Sequence, residues 1–196
     1  MEHKGTVTIE TPRLLLRRFT EEDIRPMHRN WANDPAVTEY LTWQAHKTVF
    51  STKAVVTDWI TNYARPDFYQ WAIELKLVAE PVGTISVVRR RDDILSAELG
   101  WCLGKLWWGK GIMPEAANAV MKFLFEEIGV HRITACHDVN NPKSGRVMQK
   151  IGMSKDGILR ANARNHQGTY VDMVFYSIVA EDYFAAHPTE SVASSD

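Results

Sequence analysis

Residues Ser96–Glu115 read SAELGWCLGKLWWGKGIMPE, and the change of pattern inside them decides how the chain folds. The first part alternates. Ala97, Leu99, Trp101 and Leu103 fall on one face and Glu98, Gly100 and Cys102 on the other, which is the period of a strand. From Met113 the period becomes helical, with Met113, Ala116, Ala117, Val120, Met121, Leu124, Phe125 and Ile128 in one apolar stripe. Pro114 suits the first turn of that helix, and Gly129 the position just past its end.

The loop between strand and helix nearly matches two phosphate motifs and fails both. Gly104–Lys110 spells GxxxxGK, but Gly111 follows where a magnesium-binding Ser or Thr is required. Gly109-Lys110-Gly111 opens a GxGxxG that ends on Pro114. Two glycines before a helix start still let a ligand approach the backbone, and the free N–H groups and positive dipole end favour an anion. The donors would lie at Trp108 to Met113, since Pro114 has none. A plain tight turn is the competing reading.

Working outward, Arg132–Asp138 reads as a buried strand, and Asn141-Pro142 as the cap and first residue of a short helix ending at Gly152. If that strand lies beside 96–104, both helix starts open at one end of the sheet. Asn141 caps its helix; Ser144 is either a solvated first-turn hydroxyl or part of a site. Before this region come a strand near Arg13–Phe19, a helix from the Thr20 cap toward Trp31, a short helix after Pro35, and a helix over Lys47–Tyr63. Strands follow at Tyr69–Leu75 and Val82–Arg89, and two more near Met153–Arg160 and Thr169–Val179. The order implies an α/β (α+β) fold: a mixed sheet with a central strand–helix–strand crossover and flanking helices.

Composition excludes several classes. The 196 residues suit one domain (1–196, core about 11–184), with a small polar tail at 189–196 expected to fray. Twenty-three basic against 24 acidic residues leave a net charge of −1, so no global field recruits nucleic acid or a membrane surface. Arg89-Arg90-Arg91 before Asp92-Asp93 reads as a solvated turn. No stretch has signal-peptide or membrane-span character, which predicts a cytoplasmic protein. Two cysteines make no disulfide scaffold, and the seven histidines show no metal-ligand spacing, so no metal is expected.

At these residues the chain resembles the GNAT superfamily of acyl-CoA-dependent N-acyltransferases, and within it the RimJ/RimL-like branch that acetylates ribosomal-protein N-termini. The likeness runs through Glu10-Thr11-Pro12-Arg13-Leu14-Leu15-Leu16-Arg17, then Ala97–Leu103 with Trp107-Trp108-Gly109-Lys110-Gly111 and Glu115-Ala116. It continues through Asn141, Ser144 and Lys150-Ile151-Gly152-Met153, then Asp156-Gly157-Ile158-Leu159-Arg160, Tyr170 and Asp172. The superfamily pattern Gln/Arg-x-x-Gly-x-Gly/Ala falls on Trp108–Met113, with Trp at its first position and Met at its last, where a small residue is usual. The Met is expected to narrow the approach of a pyrophosphate. Many members carry a Tyr acid where Met148 stands; the resembled branch uses the serine, here Ser144.

The resemblance implies a mostly antiparallel twisted sheet and direct acetyl transfer from acetyl-CoA, as co-substrate, to an amine. Trp101, Cys102 and Leu103 would pair with the pantetheine arm, Trp108, Gly109, Lys110, Gly111, Ile112 and Met113 would hold the pyrophosphate, and Asn141 the arm's other side. Ser144 would protonate the thiolate and Glu98 would serve as base, with a surface ion pair as the alternative for Glu98; Asp172 is a second base candidate with a structural alternative. Trp43, Tyr69 and Trp71 are candidates to line the acceptor pocket, with core packing expected of at least two. The acceptor expected from the branch is a protein N-terminal amine, with a small amine or a non-catalytic acyl-CoA sensor as alternatives. A homodimer is plausible from the family and from the many tryptophans.

Overall fold

The computed structural model describes residues 1–188. Eight strands form one sheet in the order β1-β2-β3-β4-β5-β6-β8-β7. They are β1 (Ile9–Glu10), β2 (Leu14–Arg17), β3 (Gln70–Leu75), β4 (Glu80–Arg91), β5 (Ser96–Leu103), β6 (Arg132–Asp138), β7 (Ser154–Arg164) and β8 (Tyr170–Val179). Only β5 and β6 run parallel, and α4 (Ile112–Phe123) joins them by the anticipated crossover.

The ladder between β5 and β6 is short. It pairs Ser96 with Arg132, Ala97 with Ile133 and Glu98 with Thr134, and then stops. The outer edges of both strands stay paired much further: β5 with β4 as far as Leu103–Gly83, and β6 with β8 as far as Asp138–Met173. A notch therefore opens between two strands that are each held from outside, and residues 99–103 of β5 keep an unpaired edge along it.

Helices cover both faces. The stripe read from the sequence packs on one side: Met113, Ala116, Ala117, Val120, Met121, Leu124, Phe125 and Ile128 are all buried against Leu99, Ile133, Ala135 and Trp71. The helix itself ends earlier than its stripe suggests. α4 stops at Phe123, and Leu124–Ile128 form a π turn before Gly129, whose φ of +74° closes it. On the other face α1 (Ile24–Met27), a π turn at His28–Ala32, α2 (Pro35–Thr38) and α3 (Val49–Asn62) cover Ala72 and Cys102 through a second core with Trp31 and Val56. The start of this layer is fastened by Asp23, whose carboxylate takes the Thr20 backbone N–H at 2.8 Å and two Arg17 donors at 2.7 and 2.8 Å.

β1 and the terminal helix α6 (Ala180–Ala186) were not anticipated. α6 is held by Tyr183, which stacks on Phe125 at 4.6 Å. Among the described residues no helix is long and apolar enough to cross a membrane, and no cluster of three or more His, Cys, Asp or Glu is placed to hold a metal ion. The expected tail at 189–196 lies outside the described residues.

Candidate active site

The notch, the loop after β5 and the start of α5 (Pro142–Lys150) meet at one end of the sheet. Lys143, in the first turn of α5, places its Nζ 4.5 Å from the centre of the Trp108 ring, so the two helix starts do face one another. The Trp108 indole also donates to the Leu103 carbonyl at 2.7 Å, tying the loop back to the end of β5.

The loop presents a row of main-chain donors. Gly109 and Gly111 both sit at φ +74°, the left-handed region in which a side chain is strained. The Trp108 N–H is already spent on the Lys105 carbonyl, which removes it from the expected set of donors. Gly109, Lys110 and Gly111 have no backbone acceptor among the described residues, and the first N–H groups of α4 lack one by helix geometry. From below, Arg13 reaches up to the loop: its Nη1 donates to the Lys110 carbonyl at 2.9 Å and its Nε to Glu115 at 2.6 Å.

On the far lip, the Asn141 side chain accepts the Ser144 N–H at 3.4 Å and so caps α5. Ser144 is half-buried, and its hydroxyl has no partner among the described residues. Glu98 lies at the closed end of the notch, half-buried. Its carboxylate pairs with the exposed Arg89 at 3.5 Å and accepts a hydrogen bond from the Cys136 thiol at 3.6 Å. Burial, and then the charge of Glu98, push the Cys136 thiol up to about 12, and burial alone does the same to Cys102. Neither thiol is a nucleophile near neutral pH.

A family model described as an acetyltransferase (GNAT) domain matches residues 13–154, well over half the chain. The chain belongs to the GNAT acetyltransferase family. YnaD of Bacillus subtilis (strain 168), an uncharacterized N-acetyltransferase, is 34% identical over 175 residues, covering 89% of this chain and 98% of its own. A crystal structure of a GNAT-family acetyltransferase from Bacillus anthracis superposes with a TM-score of 0.78 at 28% identity, covering 89% of this chain and 99% of that one. The ribosomal protein uS5-alanine N-acetyltransferase of Escherichia coli (strain K12) is 36% identical over 67 residues, 34% of each chain. GNAT acetyltransferases use acetyl-CoA as the acyl donor.

Within this GNAT frame the structure decides between the alternatives left open for several candidate residues. Tyr69 and Trp71 are 3% and 0% exposed and belong to the core under α4, where Trp71 meets Phe123 edge-on and donates to the Val7 carbonyl. They are packing residues, closed to an acceptor. Trp43 is half-buried in the opposite layer, its ring 5.2 Å from that of His46. Of the seven tryptophans, Trp31 and Trp71 are buried and the other five are half-buried. The Met113 side chain is buried in the core and leaves the loop unobstructed, contrary to the expected narrowing. Trp101 and Leu103 line up along the core face of β5 while Cys102 faces the helical layer opposite. Asp172 accepts the Ala161 N–H at 2.8 Å, where β7 bulges, and so takes the structural role.

Lys143 and the contact of Arg13 with the loop were missed. A lysine in a first turn and an arginine before a strand carry no signal of their own until the fold brings them to the loop.

Proposed function

We propose that this protein transfers the acetyl group of acetyl-CoA directly to a primary amine, and that the amine is a protein N-terminal α-amine. The observation that carries the reading is the early parting of β5 and β6, with two helix starts facing each other at its mouth. A β-edge left unpaired is a seat for an extended arm that can make main-chain hydrogen bonds. Free N–H groups from Gly109 to Met113 suit the pyrophosphate.

Acetyl-CoA supplies an acyl group activated as a thioester. On the unpaired edge of β5 the N–H groups beside Cys102, those of Trp101 and Leu103, are offered to the carbonyl oxygen as charge builds there, while the Cys102 N–H faces β4. Glu98, acting through a water, takes the proton that the attacking nitrogen gives up. Ser144 hydrogen-bonds the departing sulfur and protonates it as the C–S bond breaks, then regains a proton from solvent. Positioning supplies much of the rate. An α-amine, with a pKa of about 7.7–8.0, is partly neutral near pH 7 and asks little of a base; a lysine at about 10.4 asks much more. That difference and the partial likeness to the uS5-alanine enzyme favour the α-amine.

Glu98→Gln and Ser144→Ala test the two roles. Each is expected to lower kcat on the order of 10²-fold or more while acetyl-CoA still binds. Turnover unchanged in either variant removes that residue from the mechanism.

A small amine is the second reading, and one observation favours it. Gln44 and Leu41, from the segment between α2 and α3, contact His166 in the β7–β8 turn at 3.5 and 3.4 Å. Two segments from opposite sides of β6 thus meet, which narrows the space open to a peptide.

A further inference from the structure

The stretch Thr11-Pro12-Arg13 belongs to the motif by which the chain resembles its family, yet the mechanism above gives it nothing to do. Its side chains converge on the first turn of α4. Glu115 Oε1 accepts the Thr11 hydroxyl at 2.7 Å and the Arg13 backbone N–H at 3.0 Å, while Oε2 takes Arg13 Nε at 2.6 Å. Arg13 Nη1 then reaches the Lys110 carbonyl, 97 residues further along the chain. Thr11 is itself locked to the start of β2, exchanging hydrogen bonds with Leu14.

Two physical needs meet at this point. A turn built on two left-handed glycines is costly to order, and past Trp108 it stands open, with nothing within 4 Å of where a Gly109 side chain would begin. The Arg13 bond to the Lys110 carbonyl supplies a hold. The second need is electrostatic. Glu115 suits the positive end of the helix, but it also sets a negative charge beside a surface that must receive phosphates. Burial would raise the Glu115 carboxyl, yet the hydrogen bonds from Thr11 and Arg13 outweigh it and keep the group below the usual carboxylate range, so the charge persists at neutral pH. The guanidinium offsets that charge, and Arg13 Nη2, without a partner among the described residues, lies 3.5 Å from where a Gly111 side chain would begin.

We propose that Arg13, seated by Thr11 and Glu115, is a positioning residue for the donor's phosphates: it holds the Gly109–Gly111 turn with its N–H groups free and cancels the Glu115 charge beside them. The inference rests on acetyl-CoA being the donor, as set out under the proposed function.

The test compares two donors and two ligand readouts in the full-length protein. Calorimetric titration with CoA first establishes that the wild type binds it; absence of binding overturns the donor reading itself and this inference with it. Where CoA binds, Arg13→Ala is expected to weaken it about tenfold or more, the scale of a charge-assisted hydrogen bond plus an uncompensated charge. The loss in kcat/KM should be much smaller with S-acetylpantetheine, which lacks the pyrophosphate, so the preference for acetyl-CoA over the truncated donor collapses. Arg13→Ala combined with Glu115→Gln should recover part of the CoA affinity, and Arg13→Lys should fall between wild type and alanine. If Arg13→Ala does not fold, Arg13→Lys and Glu115→Gln carry the same comparison of donors. Unchanged CoA affinity, or equal losses with both donors, overturns the proposal and leaves Arg13 a stabilising residue only.

Discussion

The Cys136 thiol stands 3.6 Å from the Glu98 carboxylate, just where β5 and β6 part. The contact puts a titratable reporter beside the proposed base. Burial and the Glu98 charge both hold the thiol up, to about 12. Glu98→Gln removes the charge but not the burial, so the thiol pKa is expected to fall part of the way toward the ordinary value of about 8.5. Iodoacetamide labelling of the Cys136 peptide, followed by mass spectrometry across pH 7–10, should shift to lower pH in the variant. An identical profile would place the carboxylate away from the thiol.

Trp71 makes a second test, since its burial assigns it to the core. Trp71→Ala is expected to cost about 3–5 kcal/mol in denaturant unfolding. The acceptor KM of the folded fraction should stay at the wild-type value. A raised acceptor KM at undiminished stability would return Trp71 to the acceptor site.

The pair across the mouth of the notch can be measured directly. Lys143 over Trp108 is an exposed cation–π contact, worth about 0.5–1 kcal/mol. A double-mutant cycle of Lys143→Ala and Trp108→Leu, read by unfolding, should return coupling of that size. Zero coupling would show the two lips to be independent in solution.

Stability should also carry an acid limb with a traceable source. Asp67 accepts hydrogen bonds from Arg65 at 3.1 and 3.0 Å and from Arg90 at 2.6 Å, and these hold its carboxyl well below the ordinary carboxylate range. A depressed folded pKa stabilises the fold fully above the unfolded value of 3.8, and that contribution is lost as pH falls below it. Asp67→Asn is expected to lower stability at pH 7 and to flatten its fall below about pH 4. A slope identical to wild type would assign the acid limb to other carboxylates.

Much of the architecture was legible because periodicity reports burial. The strand Arg132–Asp138 has the bounds read from the sequence, and every residue of the stripe from Met113 to Ile128 is buried. What periodicity misses is where a ladder stops. The alternation of β5 continues to Leu103 with no sign that its pairing to β6 ends at Glu98, because the side chains of a parted strand still alternate between two covered faces. Site residues followed the same divide. Gly109, Gly111 and Asn141 announce themselves by backbone chemistry, and the glycines take the left-handed turn and Asn141 the helix cap that the sequence implies, whereas Tyr69 and Trp71 look alike whether they line a pocket or a core. Glu115 and Arg13 stand far apart in sequence and acquire their relationship only through the fold.

The most direct test of the account is release of free thiol from acetyl-CoA, with mass measurement of the product. The acceptor panel holds peptides with free N-termini, aminoglycosides, polyamines and free amino acids. The account predicts thiol release matched one for one by acetylation of the peptide α-amine. Release only with a small amine would contradict the proposed acceptor and uphold the second reading. Binding of acetyl-CoA with no release from any acceptor would contradict the proposed transfer.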